Sequence, residues 1–232
     1  MNRRWVLLAA VASLAGCQID TPGPVRHEFQ SIERDNAERV RVNLEIGAGN
    51  LRVRSGAGKL LQADFSYNVP SWRPEVRYTS AGGHGNLSVI QAESGHAHLG
   101  NTKNQWDLDL TREVPLDVRV RFGAGEARLV LGDLSLRDVD IEMGVGKLEM
   151  DLRGHPQRSY DVRIRGGVGE ATVYLPSEVG ISADVHGGIG EIQAPGFHQE
   201  GRRWFNDAYP NAKTTIHLDV HGGVGQIRLI LS

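Results

Sequence analysis

The sequence predicts an all-β protein in which the chain winds into a parallel β-solenoid, with about 21–23 residues in each regular coil. Three observations support this fold class. Glycine supplies 29 of the 232 residues, well above the usual share of about 7%. A Gly-x-Gly motif recurs along the chain, and the residues on both sides of it alternate between apolar and polar. Helical periodicity is confined to the start of the chain.

The start of the chain has the features of a secretory signal peptide that ends in a lipid attachment site. Two arginines precede a short apolar stretch at residues 5–12, which cannot cross a membrane core of ~30 Å. The Leu-Ala-Gly-Cys of residues 14–17 resembles the bacterial lipobox. This resemblance implies that the peptide of residues 1–16 is cleaved between Gly16 and Cys17. It also implies that Cys17 is acylated and holds the protein at a membrane, since two or more acyl chains give stable anchoring.

The net charge and the single cysteine exclude several classes of function. The mature chain has a formal charge of −4, because the signal peptide removes two of the 26 basic residues and none of the 28 acidic ones. This balance offers no basic field, so we expect no nucleic-acid partner. With Cys17 acylated no thiol remains, which excludes disulfides, thiolate catalysis and a Cys-rich metal site. Gln18 follows Cys17 in place of the aspartate associated with inner-membrane retention, and this favours the outer membrane of a two-membrane cell. We expect a lipid-anchored tether at 17–26, an N-terminal β-domain at 27–110 and a repeat region at 111–232 continuous with it.

The repeat region and part of the N-terminal domain contain copies of one motif. Six copies align directly, and a seventh, GGHGNLSV, is degenerate. The six are IGAGNLRV, FGAGEARL, MGVGKLEM, GGVGEATV, GGIGEIQA and GGVGQIRL. Their second glycines are Gly49, Gly125, Gly146, Gly169, Gly190 and Gly225. The central intervals of 21, 23 and 21 residues suit a solenoid, and the wider gaps hold insertions rich in proline and aromatic residues.

Each copy is predicted to be a strand, a glycine corner and a second strand. Apolar residues alternate with polar ones in both halves, as in Val118, Val120 and Phe122 before Gly125 and Ala127, Leu129 and Leu131 after it. The residue between the two glycines is always small or β-branched and apolar. It is Ala48, Ala124, Val145, Val168, Ile189 or Val224. We expect this side chain to fill the edge of the core while the glycines adopt backbone angles closed to other residues.

The outward positions form charged columns. Six residues before the second glycine, successive copies carry Arg119, Asp140, Arg163, Asp184 and Asp219. Four residues before it they carry Arg121, Glu142, Arg165, His186 and His221. Coils stacked in chain order, about 4.8 Å apart, would place opposite charges side by side, which favours parallel stacking over an antiparallel sandwich. We expect about eight or nine such coils.

The repeats resemble a known family. Residues 36–95, with GAGNLRV, SGAGKLL and the later GNLSVIQ, resemble the N-terminal toast-rack domain, and VPLDVRVRFGAGEARLVL with the following GVG corners resembles the same proteins further along. The repeats also resemble the C-terminal domain of LiaF-type regulators of the cell-wall-antibiotic response, and bacterial adhesin-like proteins. LiaF-type proteins carry transmembrane helices ahead of this domain, whereas this chain has the predicted lipid anchor. The resemblance implies an architecture and an envelope location. From the residues themselves we expect no catalytic site and no cofactor.

Candidate chemical sites are few. The SGAGKL of residues 55–60 lacks the glycine spacing and the hydroxyl residue of a phosphate-binding loop. His96 and His98 alternate on one strand face without an evident third ligand, so no metal site is predicted there. His186 and His221 share a column and are expected to be neighbours, which makes them a hypothetical pH-sensitive pair. A polysaccharide-acting β-helix enzyme remains the alternative function, with Asp107 and Asp109, or Asp138 and Asp140, as carboxylate pairs.

We therefore expect a non-enzymatic envelope lipoprotein that acts by contact, in a stress response or in surface adhesion. The membrane is its first partner, through the lipid anchor, and an envelope protein or glycan is the second. Trp204, Phe205 and Tyr209 lie in one insertion and form a candidate partner-binding loop. The strand formed by residues 226–231 has no evident polar cap, so its edge is a candidate surface for a homodimer.

Overall fold

The computed structural model describes residues 22–91 and 101–232, and within these ranges the chain is all β. Gly16, Cys17 and the pair His96 and His98 lie outside them. The strands are β1 (Arg26–Ile32), β2 (Arg39–Ser55), β3 (Leu61–Tyr67), β4 (Pro74–Ala81), β5 (His84–Gln91), β6 (Asn104–Leu110), β7 (Leu116–Val130), β8 (Leu136–Asp151), β9 (Tyr160–Leu175), β10 (Gly180–Gln193), β11 (His198–Glu200), β12 (Arg203–Phe205) and β13 (Thr215–Leu231). A 3-10 turn at Pro70–Trp72 interrupts them, and no helix of the described chain is long and apolar enough to cross a membrane. The predicted fold class is confirmed.

Six long strands, each passing through one Gly-x-Gly motif, lie parallel and in register. The corner glycines pair in the order Gly49, Gly125, Gly146, Gly169, Gly225 and Gly190. The apolar residues of both halves of every strand face a common core, and Val120 and Leu129 of β7 are both fully buried. The six-strand ladder replaces the eight or nine coils expected, because the ends of the sheet are built from antiparallel strands.

The corner is an irregularity in the two-residue alternation that recurs at the same position of each strand. The last buried residue before it in β7 is Phe122 and the first after it is Ala127. Strict two-residue alternation cannot span an interval of five, so the chain carries one extra residue at the corner. The pairing registers accordingly skip the first glycine of each motif. At the second glycine the strands come very close: Gly146 has φ +139°, and a Cβ there would lie 1.9 Å from the carbonyl oxygen of Gly125.

The residue between the two glycines does not fill the edge of the core, and that prediction is wrong. Val145, Val168, Val224 and Ile189 are 46–76% exposed. The alternation changes phase at the corner, so an apolar residue that the sequence pattern assigns to the core faces solvent.

The strands do not stack in chain order. β13 lies between β9 and β10, pairing in parallel with both. The order of the first outward column is therefore Arg119, Asp140, Arg163, Asp219 and Asp184, and its last two members carry the same charge. The edge predicted at residues 226–231 is covered as far as Arg228, where β13 pairs on both sides, and residues 229–231 pair with β9 alone.

The sheet branches at β2. The first half of β2 pairs with the β4–β5 hairpin, and the second half continues into β6, β3 and β1. The degenerate motif GGHGNLSV is not a corner: Gly82 and Gly83, both at positive φ, form the tight turn between β4 and β5. Trp106 and Phe65 close the core here, with their rings edge to face at 5.4 Å. At the other end, the short hairpin of β11 and β12 covers the beginning of β10.

Candidate functional site

The most exposed apolar feature of the described chain is a line of side chains along the corner, which we call the corner ridge. Its members lie side by side on neighbouring strands and grow larger toward β10. In spatial order they are Ala48, Ala124, Val145, Val168, Val224 and Ile189. The flanking glycines add no side chains that could cover the ridge, so its branched members project from the backbone.

An acidic column borders the corner ridge near β10. Two residues after the six ridge residues the chain carries, in spatial order, Asn50, Glu126, Lys147, Glu170, Gln226 and Glu191. Glu191 accepts a hydrogen bond from the amide of Gln226 at 3.2 Å. Within the described ranges, neither Glu170 nor Glu191 forms an ion pair. The largest apolar side chain of the ridge, that of Ile189, therefore lies beside Glu191, which has no ion pair within the described chain, while Glu170 lies in register with Lys147.

A groove of about 1540 Å³ lies between the β4–β5 hairpin and the outer face of β2, β7, β8 and β9. Its lining is mixed in charge, and the charges are paired with one another. Arg121 contacts Glu45 and Glu142 at 3.2 Å each, and Arg77 contacts Glu75 at 2.6 Å. The floor consists of corner backbone and side chains that belong to the core. The groove has room for an extended polymer, but no charged group of its described lining stands out as a catalytic acid or base.

The carboxylates of the enzyme hypothesis are engaged in ion pairs across strands. Asp107 and Asp109 on β6 contact Arg52 and Arg54 on β2, at 2.6 and 2.9 Å. These partners are remote in sequence, and the parallel register of β2 with β6 brings them together.

Asp138 and Asp140 on β8 are likewise engaged. Asp138 contacts Arg163 at 2.7 Å, while Asp140 contacts Arg119 at 3.2 Å and Arg165 at 3.4 Å. The predicted charged columns are confirmed over β7, β8 and β9. Both carboxylate pairs therefore serve strand pairing in this structure.

The aromatic insertion is divided between the core and the surface. Trp204 on β12 pairs in register with the buried Ala183 and packs against the core. Phe205 points the other way, with its ring 5.7 Å from that of His198 and 6.2 Å from that of Tyr209. All three predicted binding residues are half-buried, and Trp204 contributes to covering the end of the sheet.

His186 and His221 are neighbours, as their shared column predicts. They pair in register on β10 and β13, and their rings stack with centroids 4.5 Å apart and an interplanar angle of 8°. His221 also contacts Asp219 at 2.8 Å. Asp219 was not predicted as a member of this group, although its spacing of two residues from His221 places both side chains on one strand face.

Shifted pKa values occur mainly at structural contacts around the hairpin and the turns. Hydrogen bonds from Ser80 and Tyr78 lower the pKa of Asp35, and burial together with the Asp35 contact raises the pKa of Tyr78 to about 12. The Arg73 guanidinium holds the pKa of Glu28 below its ordinary value. Each of these groups joins two segments of the N-terminal half, so the shifts indicate structural roles.

Comparison with known proteins identifies relatives over most of the chain. The N-terminal domain of toast_rack, DUF2154, matches residues 21–174, and the C-terminal domain of the cell wall-active antibiotics response protein LiaF matches residues 124–229. The crystal structure of a proposed cell adhesion protein from Clostridium sporogenes ATCC 15579 is 32% identical, with a TM-score of 0.87, covering 90% of this chain and 100% of that one.

More distant similarities are weak. A proposed adhesin from Bacteroides fragilis NCTC 9343 is 8% identical with a TM-score of 0.33, over 90% of this chain and 99% of that one. Another from Parabacteroides distasonis ATCC 8503 is 11% identical with a TM-score of 0.29, over 91% and 100%. At these identities and TM-scores, the similarity supports no conclusion about this chain. No curated protein matches the sequence.

Proposed function

The chain belongs to the toast-rack N-terminal domain family, and from that premise we propose that it is a lipid-anchored protein of the bacterial cell envelope that acts by contact rather than by catalysis. The relatives support this proposal. The Clostridium protein is described as a cell adhesion protein and the LiaF family as part of a cell-wall-antibiotic response. Both descriptions concern events at the envelope and neither names a reaction.

The corner ridge is the observation on which the contact function depends. Solitary apolar side chains are common on protein surfaces, but a continuous line of them indicates an interaction site. Val145, Val168, Val224 and Ile189 form such a line, on strands held rigidly in register. A rigid apolar ridge can be buried by a partner with little loss of conformational entropy.

The charge beside the ridge indicates the kind of partner. Glu170 and Glu191 border its largest members and form no ion pair within the described chain. We propose that the partner is an envelope protein with an apolar patch rimmed by lysine or arginine, because this combination would match both the ridge and its acidic border. Such a contact would serve an envelope stress response or surface adhesion, and the identity of the partner distinguishes these two roles.

Crosslinking in intact cells tests the contact. We compare the full-length chain with a double variant, Val168→Lys and Ile189→Lys, and with the control Phe29→Lys, which changes a 58% exposed residue of β1 at the other end of the sheet. We expect one envelope protein to be captured by the wild type and by the control but not by the double variant. Equal capture by all three chains, or capture of a second copy of this chain alone, would overturn the proposed partner.

The anchor is tested separately. We propose that Cys17 carries the lipid and that Gln18 directs the protein to the outer membrane. The Cys17→Ser variant is expected to leave the membrane fraction, whereas the wild type fractionates with the outer membrane. Recovery of both chains in the membrane fraction would contradict anchoring through Cys17.

The enzyme alternative predicts a different result. It requires turnover of a cell-wall or exogenous glycan by the purified chain, abolished by Asp109→Asn. The ion pair between Asp109 and Arg54, bidentate at 2.9 and 3.2 Å, argues against this role, because the carboxylate is already occupied by a charged partner. Glycan turnover with that dependence would replace the contact function.

A further inference from the structure

The outward face of β10 and β13 carries a group of side chains whose charges differ from those of the same two columns on β7, β8 and β9. Over β7, β8 and β9 the columns that begin at Arg119 and Arg121 alternate in charge. At β13 and β10 the alternation stops. Asp219 is followed by Asp184 in one column, and His221 by His186 in the next. Two carboxylates and two imidazoles thus form a square on adjacent strands.

Within the described chain, the two carboxylates of this square have few contacts with positively charged side chains. Asp184 has only a distant contact with Arg203, at 4.0 Å. Asp219 lies in register with Arg163, but its only ion pair within the described chain is with His221. The ring nitrogens of His186 form no hydrogen bond within residues 22–91 and 101–232; its described contact is the stacked ring of His221. Like charges side by side destabilise a sheet unless a cation lies between them.

We propose that His186, His221 and Asp219 bind a Zn²⁺ ion, with the fourth coordination position open to solvent. One ligand atom from each of the first three residues lies within 4.8 Å of the other two. Tetrahedral zinc, with bonds of about 2.0–2.2 Å, needs ligand atoms roughly 3.4 Å apart. The stacked rings of His186 and His221 must also turn, so that a nitrogen of each faces the same ion. This rotation is open to Asp219 and His221, because their side chains are about half exposed, while the strands beneath them are fixed in register.

The donor set determines the class of ion. Two imidazole nitrogens with one carboxylate suit zinc and neighbouring transition metals, whereas magnesium and calcium prefer oxygen ligands alone. The four residues of the square line an open groove of about 550 Å³, so an ion can enter from solvent. Bound there, it would join β13, which is out of chain order in the sheet, to β10.

Calorimetric titration of the full-length chain with ZnCl₂ tests the site. We expect one Zn²⁺ per chain, a higher melting temperature with zinc, and no displacement by excess Mg²⁺. His186→Ala and His221→Ala should each weaken zinc binding by at least about tenfold. Asp219→Asn, which keeps the size of the side chain, should weaken it as well.

Two controls separate this site from other histidines. His198→Ala removes an exposed histidine that also contacts a carboxylate, Asp207 at 2.5 Å, and should bind zinc like the wild type. A double variant of His96 and His98 should do the same. The proposal is overturned by absence of binding, by unchanged affinity in folded His186→Ala, by displacement with Mg²⁺, or by loss of binding in either control. Circular dichroism establishes that each variant is folded.

Discussion

Replacing Gly146 with alanine tests how the parallel strands approach one another at the corner. Two costs are expected. An alanine at φ +139° is strained, which costs about 1–3 kcal/mol for such backbone conformations. Its Cβ would also lie 1.9 Å from the carbonyl oxygen of Gly125, where ordinary contact begins at 3.4 Å. The strands must part by roughly 1.5 Å, which breaks about two ladder hydrogen bonds at 0.5–1.5 kcal/mol each. We expect a total loss of about 2–6 kcal/mol in the free energy of unfolding.

Three further alanine variants separate the two costs. Gly56 has φ +127° but open space around its Cβ position, so its replacement carries the strain alone. A Cβ at Gly144 would meet the oxygen of Gly123 at 2.4 Å without a left-handed φ, and this variant carries the clash alone. Gly58 has neither problem, and Gly58→Ala should be neutral or stabilising by about 0.4–1 kcal/mol, because it restricts the unfolded chain.

Urea unfolding of the full-length chain, followed by far-ultraviolet circular dichroism, measures the four free energies. The expected order of destabilisation is Gly146→Ala first, then Gly56→Ala and Gly144→Ala, with Gly58→Ala last. The reasoning is refuted if Gly146→Ala costs no more than Gly56→Ala, because the close approach of the strands would then contribute nothing.

Three other predictions concern single side chains. Asp140→Asn should cost about 1–2 kcal/mol in urea unfolding, since the buried carboxylate loses two half-exposed arginine partners; no change would contradict its pairing with Arg119. Trp106→Ala should cost about 3–5 kcal/mol in the same measurement, because the side chain is fully buried, and a loss below about 1 kcal/mol would contradict the packing. The Arg153 guanidinium lowers the pKa of Asp151 from its ordinary value of 3.8. The ionised carboxylate therefore stabilises the fold above pH 3.8, and this stabilisation is lost as the pH falls through the lowered pKa. Asp151→Asn should therefore lower the melting temperature at pH 7 by up to about 4 °C but not near pH 2, and an equal loss at both pH values would contradict the assignment.

Local patterns in the sequence predict the coil itself. The alternation of Val118, Val120 and Phe122 defines the buried face, and the motif period defines which residues become neighbours. The pairing of Arg119 with Asp140 follows from these two facts alone. The stacked pair His186 and His221 was predictable in the same way, since the two strands use one register.

The strand order could not be predicted in this way. Asp184 and Asp219 are equivalent in the repeat, so either can stand beside Arg163. The only signal is an interval of 35 residues between Gly190 and Gly225, which holds the β11–β12 hairpin. The exposure of Ile189 could not be predicted either. Its apolar side chain suggests a place in the core, and only the change in alternation at the corner turns it toward solvent.

β13 follows β10 along the chain but lies between β9 and β10 in the sheet, so the order of the strands in the sequence differs from their order in the sheet. Before β13 has docked, the edge of β9 is free, and Asp184 would match Arg163 there as well as Asp219 does. β13 is made later and must take that edge, with β10 moved outward by one strand. Loss of β13 would thus remove an internal strand of the sheet and separate β10 from β9. During folding either β10 or β13 can pair with the edge of β9, and only the docking of β13 selects the native order.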